Sequence, residues 1–116
     1  MISYIWNKIK NIFSPEKQDP HLVLYEPVEQ IIKNLKNMNV KAPIIVFPKG
    51  IGKKVIDYIN NVSSDITSID HKIDMKWVIK NTDKNKVFQG NIDPETLLIG
   101  GDVLEKSVKK LVETVK

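Results

Sequence analysis

The hydrophobic pattern of this chain predicts an α/β fold with a parallel sheet. Short apolar runs rich in β-branched residues alternate with stretches of helical periodicity. Each run ends in a polar segment: Lys49-Gly50, Asp70-His71 and Gln89-Gly90-Asn91. The last of these feeds Asp93-Pro94, an N-cap residue followed by a proline at the first helical position, so strand, loop and helix form one βα unit.

The elements follow in order. Ile2, Ile5, Trp6, Ile9, Ile12 and Phe13 fall on one stripe of an N-terminal helix, with Lys8 and Lys10 flanking it. Such a helix suits packing against its own protein, the reading adopted, or a membrane surface. Ser14 to Pro20 is a polar link with two prolines, so residues 1–20 form a helix and link ahead of a domain spanning 21–116. Val28, Ile31, Ile32, Leu35 and Met38 repeat at helical spacing after Pro27. Ile44-Ile45-Val46-Phe47 lies between prolines and lacks alternation, which predicts a strand buried on both faces. Ile51–Asn61 reads as a helix, Ile66–Ile69 as a second strand, and Asp74 as the cap of a helix through Met75, Val78 and Ile79. Lys86-Val87-Phe88 is the third strand. Gly100-Gly101 breaks the chain, and Asp102 with Glu105 has the spacing of a capping box for a last amphipathic helix.

The 116 residues suffice for one domain, with 41% hydrophobic and 28% charged residues, as in globular chains. There is no cysteine, which excludes disulfides, thiolate metal sites and a cysteine nucleophile. His21 and His71 show no metal-ligand spacing, so no metal is expected. No apolar run approaches the ~20 residues that span a bilayer. The net charge of +4 suits an anionic partner. The lysines lack the aromatic interleaving that would favour nucleic acid.

The strand-end residues are the candidate site. In parallel α/β sheets such ends lie on one side and bind ligands. Lys49, Gln89 and Asn91 are candidates for holding a carboxylate or phosphate. The alternative is a solvated Lys49 and a loop tied down by its own amides. Asp70 beside His71 suggests acid–base chemistry, but neighbours on a strand face opposite ways, so the two are not expected to share a site. No phosphate-loop, dinucleotide or nucleophile-elbow motif is present. Three short parallel strands leave two edges open, so the chain is expected to self-associate or to be one part of a larger barrel.

Three segments carry a resemblance: Pro43–Gly50, Ser68–His71 and Val87–Pro94, the last reading Val-Phe-Gln-Gly-Asn-Ile-Asp-Pro. In order and spacing, from about Tyr25 to Lys116, they resemble the C-terminal third of the uroporphyrinogen decarboxylase family. The resemblance implies part of a (β/α)8 barrel, about three βα units with an extra N-terminal helix. It also implies a cytoplasmic, often homodimeric carboxy-lyase of haem biosynthesis. Such an enzyme removes carboxyl groups from the acetate arms of uroporphyrinogen III to give coproporphyrinogen III, without metal or organic cofactor.

No catalytic residue carries over. The family's arginine and aspartate segments lie upstream of the matching region, its histidine lies beyond Lys116, and His71 stands where the family has an aromatic residue. What carries over is scaffold: Asp70, Gln89, Gly90, Asn91, Asp93 and Pro94. The expectation is a truncated or split member, inactive alone and completed by another chain or by self-association. Activity with a complementing chain, or a small anion-binding α/β module, are the alternatives.

Overall fold

The computed structural model describes residues 2–13 and 21–116; the Ser14–Pro20 link lies outside them. The described residues form α1 (Ile2–Phe13), a π-helical turn (His21–Tyr25) leading into α2 (Glu26–Asn37), β1 (Ile45–Val46), a 3-10 turn (Gly52–Lys54) and α3 (Val55–Asn61). Then come β2 (Ile66–Ser68), α4 (Met75–Lys80), β3 (Val87–Gln89), α5 (Pro94–Ile99) and α6 (Gly101–Val115). The three strands pair in parallel in the order β1-β2-β3, with Ile45 opposite Ile66 and Ile66 opposite Val87.

Local chemistry explains where several helices begin. Pro27 sits in the first turn of α2, where a missing N–H costs nothing. The Asp74 carboxylate accepts from the Lys76 N–H at 3.0 Å and starts α4. The Asp93 carboxylate accepts from the Glu95 N–H at 2.9 Å and starts α5. Glu29 on α2 accepts from the backbone N–H and the hydroxyl of Ser63, which ties α2 to the loop before β2.

The helices cover one face of the sheet. Tyr25, Ile32, Val46, Tyr58 and Val62 form one buried cluster, with the Tyr25 and Tyr58 rings edge to face at 5.8 Å. Burial, aided by the nearby Glu29 carboxylate, raises the Tyr58 hydroxyl above its ordinary pKa. Val55, Ile59, Ile69, Met75 and Val78 form a second cluster, packed by Phe88 from β3 and Leu111 from α6. Ile51 touches both clusters and joins them.

The other face differs from expectation. Ile45 is 49% exposed, Phe47 54% and Val87 55%, so β1 is buried on one side only. Val46 and Thr67, one register step away, are buried under the helices. The physical reason is that no described element of the chain lies over the row Ile45, Ile66 and Val87.

Other expectations also change. The N-terminal helix forms, but its Ile2, Ile5, Trp6 and Ile9 side chains are exposed and belong to neither buried cluster. The helix expected from Ile51 begins as a 3-10 turn at Gly52–Lys54 and is α-helical only from Val55. The Asp102–Glu105 capping box does not form. The chain is already helical from Gly101, which leaves Asp102 inside the first turn, and Glu105 pairs instead with Lys109 at 2.6 Å.

Two outcomes follow from this packing. A bare apolar sheet face should drive concentration-dependent self-association, read by light scattering on size-exclusion fractions, and Phe47→Asp should reduce it. A strictly monomeric chain at all concentrations would contradict this. Gly90 has φ +112, and a Cβ there would meet the Ile69 carbonyl oxygen at 2.9 Å. Gly90→Ala should therefore cost on the order of 1–3 kcal/mol in urea unfolding.

Candidate functional site

Parallel pairing brings the three polar strand ends to one side of the sheet. An open cleft of about 850 Å³ lies there, lined by Lys49 and Gly50 after β1, Asp70, His71 and Lys72 after β2, and Asp93, Pro94 and Glu95 at the start of α5. Gln89 is exposed and stands outside this lining.

Asp70 is buried and organises the cleft floor. One carboxylate oxygen accepts from the Gly50 N–H at 3.0 Å, joining the end of β1 to the end of β2. The other accepts from the Lys72 N–H at 3.2 Å and closes its own turn. These two backbone N–H groups, helped by the nearby His71 and Lys72 side chains, hold the Asp70 carboxyl below its ordinary pKa despite its burial. A carboxylate so engaged is an anchor; its lone pairs are directed at backbone rather than at a substrate proton.

His71 lies beside it, with Nδ1 3.2 Å from the Asp70 carboxylate. This overturns the expectation that the two point apart. Alternation applies within a strand, and β2 ends at Ser68, so Asp70 and His71 already belong to a turn. Gly50 was also missed as a partner; a glycine just past a strand, opposite a buried acid, is the signal that could have found it.

Asn91 secures the third strand end. Its side-chain amide donates to the carbonyls of Asp70 at 3.0 Å and Ile73 at 2.6 Å. The β3 backbone also meets β2 directly, the Ile69 N–H donating to the Gln89 carbonyl at 2.8 Å. On the far side of Asn91 a smaller recess of about 240 Å³ reaches α6 and is lined there by Ser107, Lys110 and Thr114. The α6 contribution to this recess was not foreseen, since periodicity marks only the apolar side of that helix. Among the described residues, no group of three His, Asp or Glu side chains is placed to hold a metal ion.

The site thus has a fixed part and a free part. Asp70, Asn91 and Asp93 spend their polar groups on backbone. Lys49, Lys72 and His71 line the cleft with groups suited to an anion, while Asp93 and Glu95 make the opposite lip acidic.

The motifs that build this floor are those of a known family. The family model of uroporphyrinogen decarboxylase (URO-D) matches residues 10–116. The chain belongs to the uroporphyrinogen decarboxylase family. Among curated relatives, the uroporphyrinogen decarboxylase of Jannaschia sp. (strain CCS1) is 33% identical over 90 residues, covering 78% of this chain and 26% of the relative. That of Cereibacter sphaeroides is 34% identical over 91 residues, covering 78% and 26%. That of Rickettsia akari is 32% identical over 102 residues, covering 88% and 30%. The chain therefore spans about a quarter to a third of the length of these relatives. No solved structure matches it.

In this family member the anchors predict stability effects. Asn91→Ala leaves two carbonyls without their donor and should cost about 1–3 kcal/mol, and Asp93→Ala about 1 kcal/mol for the lost cap, both read from urea midpoints. Asp70 predicts a pH dependence. Its folded-state pKa is depressed, so its contribution is complete above the unfolded value of about 4. It is lost as the pH falls through the lower folded value. The stability gap between the wild-type chain and Asp70→Asn should therefore be constant near neutrality and shrink in acid. A gap independent of pH would remove the ionised anchor from the account.

Proposed function

We propose that the chain forms part of a uroporphyrinogen decarboxylase-type (β/α)8 barrel and supplies the strand-end floor of its site. The observation that carries this reading is the one-sided sheet. Helices cover one face, while Ile45, Phe47, Ile66 and Val87 leave an apolar second face, and among the described residues the outer edges of β1 and β3 have no strand partner. An inner wall awaiting further strands has this character, since parallel sheets are buried on both faces. The substrate class proposed is a porphyrinogen carrying acetate arms. Loss of each carboxyl group as carbon dioxide leaves the electron pair on the arm's methylene carbon, which takes a proton and becomes a methyl group. Lys49 would face a substrate carboxylate from the cleft, and Gln89, at the end of β3 and outside the cleft lining, would be a further contact. Asp70, Gly90, Asn91, Asp93 and Pro94 hold the floor in shape. The proposed setting is the cytoplasm, with a complementing chain or a second copy completing the barrel.

On this reading the chain is inactive alone. Three strands do not enclose a substrate, and the chain has no arginine to grip carboxylates in bidentate fashion. Preorganised charges of that kind are each worth a few kcal/mol to a transition state, on the order of 10²–10³ in rate. The purified chain should form no coproporphyrinogen above the uncatalysed rate. Mixing it with a polypeptide that supplies the preceding part of a related decarboxylase should restore turnover. Turnover by the chain alone, or none in any complemented mixture, would overturn the proposal.

A second reading, a small anion-binding module, is favoured by the three basic side chains on the cleft, Lys49, His71 and Lys72. Lys49→Ala and Asn91→Ala separate the two in a porphyrin titration paired with denaturant melts. Weakened binding with unchanged stability supports the module; lost stability at Asn91 with unchanged affinity at both sites supports the scaffold.

A further inference from the structure

The outer edge of β3 carries polar groups that the fold leaves unmet. In a parallel ladder the N–H and C=O of one residue point to one neighbouring strand, and those of the next residue point the other way. The Gln89 carbonyl accepts from the Ile69 N–H, just past β2, at 2.8 Å, so the Phe88 N–H and C=O face away from β2. Among the described residues no strand pairs with that side of β3, and neither Phe88 group has a partner there. The outer edge of β1 offers less: the strand is two residues long and is flanked by Pro43 and Pro48, which have no N–H. Beside the β3 edge, under the helices, lies an apolar recess of about 450 Å³. Met75 and Ile79 of α4, Phe88 of β3, and Leu111, Val112 and Val115 of α6 line it. At the start of β3 its rim holds Lys84 and Lys86 with Asp83. Asp83 spends a carboxylate oxygen on the Asn85 N–H at 3.2 Å, while among the described residues neither lysine is in an ion pair.

We propose that the β3 edge and this recess form one docking groove for an extended segment of a different polypeptide, with apolar residues at alternate positions and an acidic residue beside Lys84 and Lys86. Backbone pairing with Phe88 supplies the adhesion, and every second side chain of the segment enters the recess. The unmet backbone groups select an extended partner. A helix satisfies its own N–H and C=O groups and would leave those of Phe88 bare. The lysines select the acidic residue, because like charges placed together are rejected. A second copy fits the groove poorly. Its β1 is the short, proline-flanked strand, and its β3 is preceded by Lys84 and Lys86 rather than by acids. The inference rests on the barrel reading for the source of the segment, the complementing chain. Its test needs no turnover, so either can fail alone.

The test is titration of the full chain with short synthetic peptides that alternate valine and threonine, read by amide hydrogen exchange. One peptide ends in glutamates, one in lysines, and one has glutamate ends and a central proline. The glutamate-ended peptide should bind and slow exchange of the Phe88 amide. The lysine-ended and proline-containing peptides should each bind about tenfold more weakly. Val112→Asp places a charge in the recess and should weaken the glutamate-ended peptide about tenfold. Val112 is 44% exposed and belongs to neither buried cluster, so this variant should melt with the wild-type chain. Phe47→Asp, beyond β1, should leave the affinity unchanged. Failure of the glutamate-ended peptide to bind, or binding without protection of the Phe88 amide, would overturn the proposal. So would equal affinity for the glutamate-ended and lysine-ended peptides, or indifference to Val112→Asp. Protection of the Phe88 amide that rises with chain concentration and without peptide would assign the edge to a second copy instead.

Discussion

The Asp70 carboxylate is the point on which the strand-end side of this molecule depends. Through Gly50 it holds the end of β1 and through Lys72 it shapes its own turn, while the backbone carbonyl of Asp70 accepts from the Asn91 amide beyond β3. Burying a carboxylate is costly unless its charge is met by donors, and here backbone N–H groups meet it. The Gly50 donor is in place only when β1 and β2 are in register, so the ionised acid and the sheet stabilise one another. Gly90 completes the arrangement by omission, since any side chain there would meet the Ile69 carbonyl and push β3 away.

The second constraint is the asymmetry of the sheet. The helix-facing residues Val46, Thr67 and Phe88 join a continuous core, because Ile51 and Phe88 link the strands to the buried faces of α3 and α4. The opposite row of Ile45, Ile66 and Val87 is apolar but uncovered. An apolar face costs free energy in water in proportion to its area, at roughly 25 cal/mol per Å². A sequence that keeps isoleucine, phenylalanine and valine on that row is suited to a covered face. On the proposed barrel reading, the row that leaves this chain open is the barrel's interior.

What could be read from the sequence was what neighbouring residues decide. The caps at Asp74 and Asp93 depend on a carboxylate two residues before the N–H it accepts from, and both form. The strand-end loops and the order of the elements are likewise local patterns. Long-range facts were less legible. The run Ile44–Phe47 shows that two faces are apolar, but not whether this chain supplies a layer for each. The pairing of Asp70 with His71 was lost because the strand ends at Ser68, one residue before the apolar pattern implies, which leaves both residues in a turn. The capping box at Asp102 failed because the helix begins at Gly101, which puts Asp102 inside the first turn rather than at its cap.

The fixed and free groups of the cleft divide its chemistry. A residue already bonded to backbone on both oxygens, as Asp70 is, loses those bonds if it takes up a proton or turns to a ligand. It therefore fixes the backbone turns that carry Lys49, Lys72 and His71 around one opening. Lysine gives that opening positive charge without fixed geometry, because its ammonium is a point charge on a flexible stem. Facing these groups, Asp93 and Glu95 make the other lip acidic, so the opening carries both signs of charge over a floor fixed by backbone bonds.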